Sequence, residues 1–219
     1  MKMIPALPAV ALALFATLAH AATPEVGVNY DLLPIPVETS DPSRIEVVEV
    51  FSYGCPHCFE FEPTIEAWRA RQPADVQFRR LPAVFRKEWV ILAQAFYAAE
   101  ALGVTEKVNR PIFEAIHLKG LNPGDPTVLA GVFKESAGVD GEEFLKVLNS
   151  FGVRSKVQQA DAQGQMYRLQ GVPTLIVAGK YTAYGASSSG SNSDRLAVVD
   201  FLVAKERAAR SKVQGAHAP

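Results

Sequence analysis

The sequence predicts an α/β fold in which one sheet layer is interrupted by a helical insertion. Three observations lead there. A strand-like run, a helix and a second strand follow one another between Arg44 and Phe85. Five helical segments then succeed each other with no strand between them, and a hairpin pattern with a final helix closes the chain. If the hairpin returns to pair with the first strands, residues 22–85 and 170–210 form one discontinuous domain. Residues 86–169 then form the inserted helical domain, and 211–219 a flexible tail.

In chain order, Lys2 is the lone charge ahead of an apolar run from Ile4 to Leu18, and Ala19-His20-Ala21 supplies small residues where export-signal cleavage requires them. Residues 1–21 therefore read as a cleaved signal peptide, which places the mature protein in an oxidising space. The run is too short for a membrane-spanning helix and contains Pro5 and Pro8. Residues 22–43, rich in Pro, Glu and Thr, read as an extended arm with at most one edge strand.

Arg44 to Ser52, RIEVVEVFS, is a strand with β-branched residues on both faces, as in a strand buried on both sides. Alternation puts Val47, Glu49 and Phe51 on one face, so Glu49 is a carboxylate among apolar neighbours. After Gly54 the period changes, and Cys58, Phe61, Ile65 and Trp68 make one stripe of a helix. Pro56 suits the first helical turn, where its missing N–H costs nothing, so Cys55 falls at or beside the N-cap. Pro63 predicts a kink, and the helix ends before Pro73. Asp75 to Phe85 supplies the second strand, and connections this short favour a right-handed βαβ unit with parallel strands.

Helices follow over 88–102, 105–117, 126–137, 141–149 and 154–169. Asp125 before Pro126, and Asp140 with Glu143, mark two of the starts. GVPTLIVAGKYTAYG alternates around a Gly179-Lys180 turn and reads as a hairpin. A serine-rich loop, ASSSGSNS, leads to a last helix over 194–210.

The two cysteines, Cys55 and Cys58, are the entire thiol stock of 219 residues. With 48% hydrophobic and 21% charged residues the chain can build an ordinary core and needs no disulfide staples, so the thiols require another explanation. A net charge of −1 offers no footprint for nucleic acid. A structural zinc takes four ligands, and beyond the pair only His57, His117 and His217 remain after residue 21. No metal is expected. An inert bridge across so short a loop contributes little entropy. His117 and His217 read as a helix-surface and a tail residue.

The thiolate is the reactive form of cysteine, and three features favour it at Cys55. The helix N-terminus offers unpaired N–H groups and the positive end of the dipole. His57 can carry positive charge nearby, and Cys58 can donate its S–H. The side chain at the helix start faces out and the one a turn later faces the core, so Cys55 is the attacker and Cys58 the resolver. A depression of roughly three pKa units would raise the reduction potential by on the order of 90 mV, which makes an oxidant. Glu49, raised by burial, is a candidate proton relay for Cys58; the competing readings are exposure to water or neutralisation by Arg79 or Arg80. Glu62 joins the same candidate network.

At this point the residues carry a resemblance. EVFSYGCPHCFEFEP is similar to the active-site stretch of the DsbA-type thiol:disulfide interchange proteins of the bacterial periplasm. QAFYAAEALGVTEKVNRPIFEAI, FLKVLNSFGV and LQGVPTLIVAGKY resemble that family's helical domain and later strand. The resemblance implies a thioredoxin-like fold with an inserted helical domain, and a cis bond between Val172 and Pro173 beside Cys55-Pro56-His57-Cys58. A bound peptide would then pair along Val172, Pro173 and Thr174. Glu49 matches the family's buried acid, Glu62 another acidic position, and Arg80 stands where a lysine is common. The implied activity is donation of the Cys55–Cys58 disulfide, with no other cofactor, to reduced exported proteins, followed by reoxidation by a DsbB-type membrane partner. A monomer is expected. The rivals are an isomerase or reductase using the same pair, and a non-catalytic peptide-binding chaperone.

Overall fold

The computed structural model describes residues 23–184 and 192–216. The signal segment 1–21, most of the serine-rich loop and residues 217–219 with His217 lie outside the described residues.

Strand β1 (Tyr30–Leu32) comes from the arm, and β2 (Ile45–Phe51) leads through Gly54 into α1 (Pro56–Arg69) and β3 (Val76–Pro82). Five helices follow: α2 (Lys87–Ala101), α3 (Thr105–His117), α4 (Pro126–Ala137), α5 (Gly141–Leu148) and α6 (Phe151–Met166). The hairpin β4 (Thr174–Val177) and β5 (Tyr181–Ala183) precedes α7 (Asn192–Ala216). The sheet order is β1-β5-β4-β2-β3. Strands β2 and β3 are parallel, as the short βαβ connection requires, and the remaining pairs are antiparallel.

Strand β2 is buried along its whole length because both sheet faces are covered. On one face Val47 packs with Phe61, Ile65 and Trp68 of α1 and Val199 and Leu202 of α7. On the other, Val48 and Val50 join the core shared with Phe96, Phe113 and Phe133 of the helical segment. The active-site end of the sheet thus lies where α1 meets these helices. α1 continues through Pro63 to Arg69.

Four local expectations differ from the structure. The hairpin turn is centred on Ala178-Gly179, not Gly179-Lys180: both central residues have positive φ, 52° and 62°, the conformation of a type I′ turn. α6 begins at Phe151, three residues before Arg154, because Ser150 caps it by accepting from Val153 N; it also ends at Met166 rather than 169. α7 runs on to Ala216, so residues 211–216 belong to a helix rather than to a loose tail. The arm is docked, not merely extended: Leu33 N and Val37 N donate to the Lys180 and Gly179 carbonyls at 2.7 and 2.8 Å.

Candidate active site

Cys55 is the N-cap of α1, with extended backbone (φ −97°, ψ 117°) and Pro56 in the first turn. Its carbonyl receives the N–H of Cys58 and Phe59, both at 3.1 Å, which closes the first helical turn around the motif. Both cysteines are free thiols in this structure. The residue before Cys55 has no room for a side chain: a Cβ on Gly54 would lie 2.8 Å from the Trp89 indole nitrogen.

The two thiols occupy opposed environments. Cys58 is fully buried, and even Cys55, expected to face out, is only 7% exposed. The Cys55 thiol falls from 9.0 to about 6, chiefly through the hydrogen bond from Cys58. Burial opposes this, while the backbone N–H groups of Cys58 and His57 assist, as the unpaired donors of a helix start should. The His57 charge is the smallest of the named contributions. Its imidazole is 78% exposed and faces Glu60, with Nδ1 and Oε2 3.2 Å apart. Burial drives the Cys58 thiol strongly upward, and the neighbouring Cys55 sulfur pushes it further.

The Val172–Pro173 bond is cis. It lies against the motif: Cys55 Sγ–H donates to the Val172 carbonyl at 3.5 Å. Thr174 opens β4, and its hydroxyl donates to the Gly171 carbonyl at 2.7 Å. The structure therefore brings Cys55, Pro56, Cys58, Val172, Pro173 and Thr174 together from ends of the chain more than a hundred residues apart.

Below the thiols is a charge centre. Glu49 is 1% exposed and sits opposite Arg80 in the β2–β3 register. Arg80 donates to Glu49 (2.8 Å), Glu62 (2.8 Å) and Glu66 (2.8 Å). The Asn109 amide and the Tyr53 hydroxyl extend the network, Asn109 donating to Glu62 and Tyr53 to Asn109 at 2.9 Å. Burial raises Glu49, and the charge of Arg80 offsets only part of it. Glu62 is pushed up to about 7 by burial, with Arg80 opposing and the charges of Glu49 and Glu66 adding to the rise. Of the competing readings for Glu49, solvent exposure is ruled out, and Arg80 is its ion-pair partner. Arg79 instead serves Glu46 on the opposite sheet face.

Besides Tyr53, Glu66 and Asn109 of this network, sequence reasoning missed three further residues. Glu46 is as buried as Glu49, and its presence in a strand predicted to be covered on both faces was an available signal. His117 is not a plain surface residue: its ring stacks on Phe59 (5.1 Å, 13°), and Nε2–H donates to the Tyr53 carbonyl at 2.8 Å. Arg195, which donates to the Pro173 carbonyl at 3.1 Å, carried no local signal. Among the described residues no three His, Cys, Asp or Glu side chains are grouped to hold a metal, and no helix is long and apolar enough to cross a membrane.

The family model for a DsbA-like thioredoxin domain matches residues 46–197. The chain belongs to the DsbA-like thioredoxin family. The thiol:disulfide interchange protein DsbA of Pseudomonas aeruginosa is 42% identical over 199 residues, covering 91% of this chain and 93% of that one. The DsbA of Azotobacter vinelandii is 42% identical over 186 residues, covering 85% and 86%. The crystal structure of Pseudomonas aeruginosa DsbA superposes with a TM-score of 0.79 at 42% identity, covering 84% of this chain and 95% of that one. Oxidoreductase DsbA from Xylella fastidiosa gives 0.80 at 37% identity, covering 85% and 100%. As a DsbA-like chain with Cys-Pro-His-Cys at a helix start, it is a thiol:disulfide oxidoreductase, and the thioredoxin-like fold expected from the sequence is the one observed.

Proposed function

We propose that the protein forms disulfides in reduced exported proteins in the periplasm, passing on its own Cys55–Cys58 bridge and using no other cofactor. The observation that carries this reading is the Cys55 thiol lowered to about 6 beside a Cys58 thiol that burial holds protonated. Stabilising one thiolate stabilises the dithiol form against its disulfide, so the oxidised form gives its bond away readily.

A substrate thiolate attacks Cys55 Sγ. The substrate–Cys55 bond forms, the Cys55–Cys58 bond breaks, and the electron pair leaves on Cys58, which takes up a proton. A second substrate thiolate then attacks the substrate sulfur of the mixed disulfide and expels Cys55 as a thiolate. Two electrons have passed to the protein, and the substrate carries the new bond. The Val172 carbonyl and Thr174 backbone offer the approaching peptide a strand-like edge beside Pro173. Glu49 and Glu62, held by Arg80, act as the proton reserve for Cys58. Return to the disulfide form falls to a DsbB-type membrane oxidase, and the working species is a monomer.

Thiolate absorbance titration, combined with equilibration against glutathione, tests this. The expected midpoint for Cys55 is near 6. A midpoint close to that of a free thiol, about 8.5, would point to a reductase or a passive site. Cys55→Ser should abolish disulfide formation in a reduced substrate, and retained formation rules out the mechanism.

A further inference from the structure

Arg195, in the first turns of α7, is held differently from the arginines on β3. Its guanidinium lies over the Phe61 ring (5.8 Å to the centroid), and one N–H is spent on the Pro173 carbonyl at 3.1 Å. Its Nε–H is buried with no hydrogen-bond partner. Among the described residues no carboxylate pairs with it, whereas Arg79 has Glu46 and Arg80 has three acids. Burial penalises the charged form, and the one anion that could favour it is a Cys58 thiolate. That thiol stays protonated, so it leaves the cation uncompensated.

This cation borders an open cleft of about 550 Å³, lined by Gly27, Val28, Pro173, Thr174, Tyr184 and Arg195. The cleft begins where the peptide edge ends, since Pro173 and Thr174 belong to both. Among the described residues, apart from the arginine, its walls are backbone, apolar side chains and two hydroxyls that are already donating, Thr174 to the Gly171 carbonyl and Tyr184 to Asp31, each at 2.7 Å. A half-buried cation without a counter-ion in a roomy cleft attracts a carboxylate more strongly than an exposed one does, because water screens it less.

We propose that Arg195 and this cleft form a subsite for an acidic side chain of the substrate protein, placed within a few residues of the cysteine undergoing exchange. The proposal rests on the disulfide-donating reading above and adds a charge preference to it. The arriving carboxylate supplies the counter-ion that the fold withholds from Arg195, while Arg195 keeps its bond to the Pro173 carbonyl.

The test compares kcat/KM of the oxidised protein on dithiol peptides carrying Glu, Gln or Lys at one, two or three residues on either side of one cysteine. At low salt, one position should favour Glu over Gln by about five- to tenfold and disfavour Lys, and the preference should shrink as salt rises. Arg195→Met should bring the Glu:Gln ratio at that position to about one, and Arg195→Lys should restore part of it. An unchanged ratio in Arg195→Met, even if all peptides slow together, reduces Arg195 to an anchor for the Pro173 loop and overturns the proposal. So does a wild type without charge preference at any position. A wild type that oxidises none of the peptides, Gln versions included, overturns the disulfide-donating reading on which the subsite depends.

Discussion

Strand β2 carries two glutamates three residues apart, on opposite faces of the sheet, and they behave in opposite ways. Glu46 and Glu49 are equally buried, and each receives an arginine Nε–H from β3, at 2.9 and 2.8 Å. Burial pushes Glu46 up, but Arg79 and Ser40, the latter through Oγ (2.6 Å) and N (3.1 Å), outweigh it and hold the carboxyl below its ordinary value. Glu49 stays raised because burial of its carboxyl outweighs Arg80, which it shares with Glu62 and Glu66, and the Glu66 charge adds to the rise. The lesson is that burial and an ion pair do not fix a carboxyl's protonation. The balance of desolvation against the donors left to each carboxylate does. Glu46 is an anion with several donors, whereas the α1 face sets three carboxylates against one arginine, with Glu49 within electrostatic reach of Cys58.

Removing each arginine is the largest perturbation of this contrast. Arg80→Met leaves three carboxylates facing one another and should destabilise the fold by about 3–5 kcal/mol at neutral pH. The loss should shrink in acid, where the carboxyls protonate. Arg79→Met leaves Glu46 its two Ser40 donors, and should cost about 1–2 kcal/mol. Urea unfolding of the two variants at pH 5 and pH 8 reads both; equal costs would erase the distinction.

The glutamates themselves come next. Glu49→Gln should leave the fold as stable as wild type at pH 8 yet slow formation of the mixed disulfide, the step in which Cys58 takes up its proton, about tenfold or more. Glu46→Gln should cost about 1–2 kcal/mol and leave that step untouched. Stopped-flow fluorescence separates them, and an unaltered rate of mixed-disulfide formation in Glu49→Gln removes the proton-reserve role.

The pH dependence carries the same contrast with opposite signs. Glu46, lowered in the fold, contributes stability that is present above its unfolded value of 4.5 and is lost as pH falls through its folded value. Glu49 and Glu62, raised in the fold, contribute stability that is present below 4.5 and is lost as pH rises, for Glu62 through about 7. Stability profiles of Glu46→Gln should therefore converge on wild type in acid. Those of Glu62→Gln should flatten the decline between about pH 5 and 8. The smallest effect belongs to His57→Ala. With an exposed imidazole screened by solvent, the Cys55 midpoint should rise by less than about half a unit, and a rise approaching the full three units would restore His57 as the main stabiliser of the thiolate.

Legibility followed the range of the interactions. α3 and α4 begin and end where the sequence placed them, and for α4 the reasons are local: Asp125 caps it through Thr127 N, Pro126 starts it, and Gly138 ends it at φ 71°. The thiol pair was readable for the same reason, since a helix start acts within one turn. α6 was misplaced at its start although Ser150 is a recognisable cap, because Gly152 weakens the helical pattern after it. What could not be read depends on pairings across the fold. Nothing near His117 announces the Tyr53 carbonyl 64 positions away, nothing near Asn109 announces Glu62, and nothing near Arg195 announces Pro173.

The leading segment closes the sheet on its free side. β1 covers β5, and the Val37 carbonyl lies so close to Gly179 that any side chain on that glycine would strike it. A chain shortened past Leu33, or one with Gly179→Val, would present the bare ladder of β5 to neighbouring molecules and could string copies together edge to edge. Self-association on truncation would thus be the first sign of damage, ahead of any change at the sulfurs.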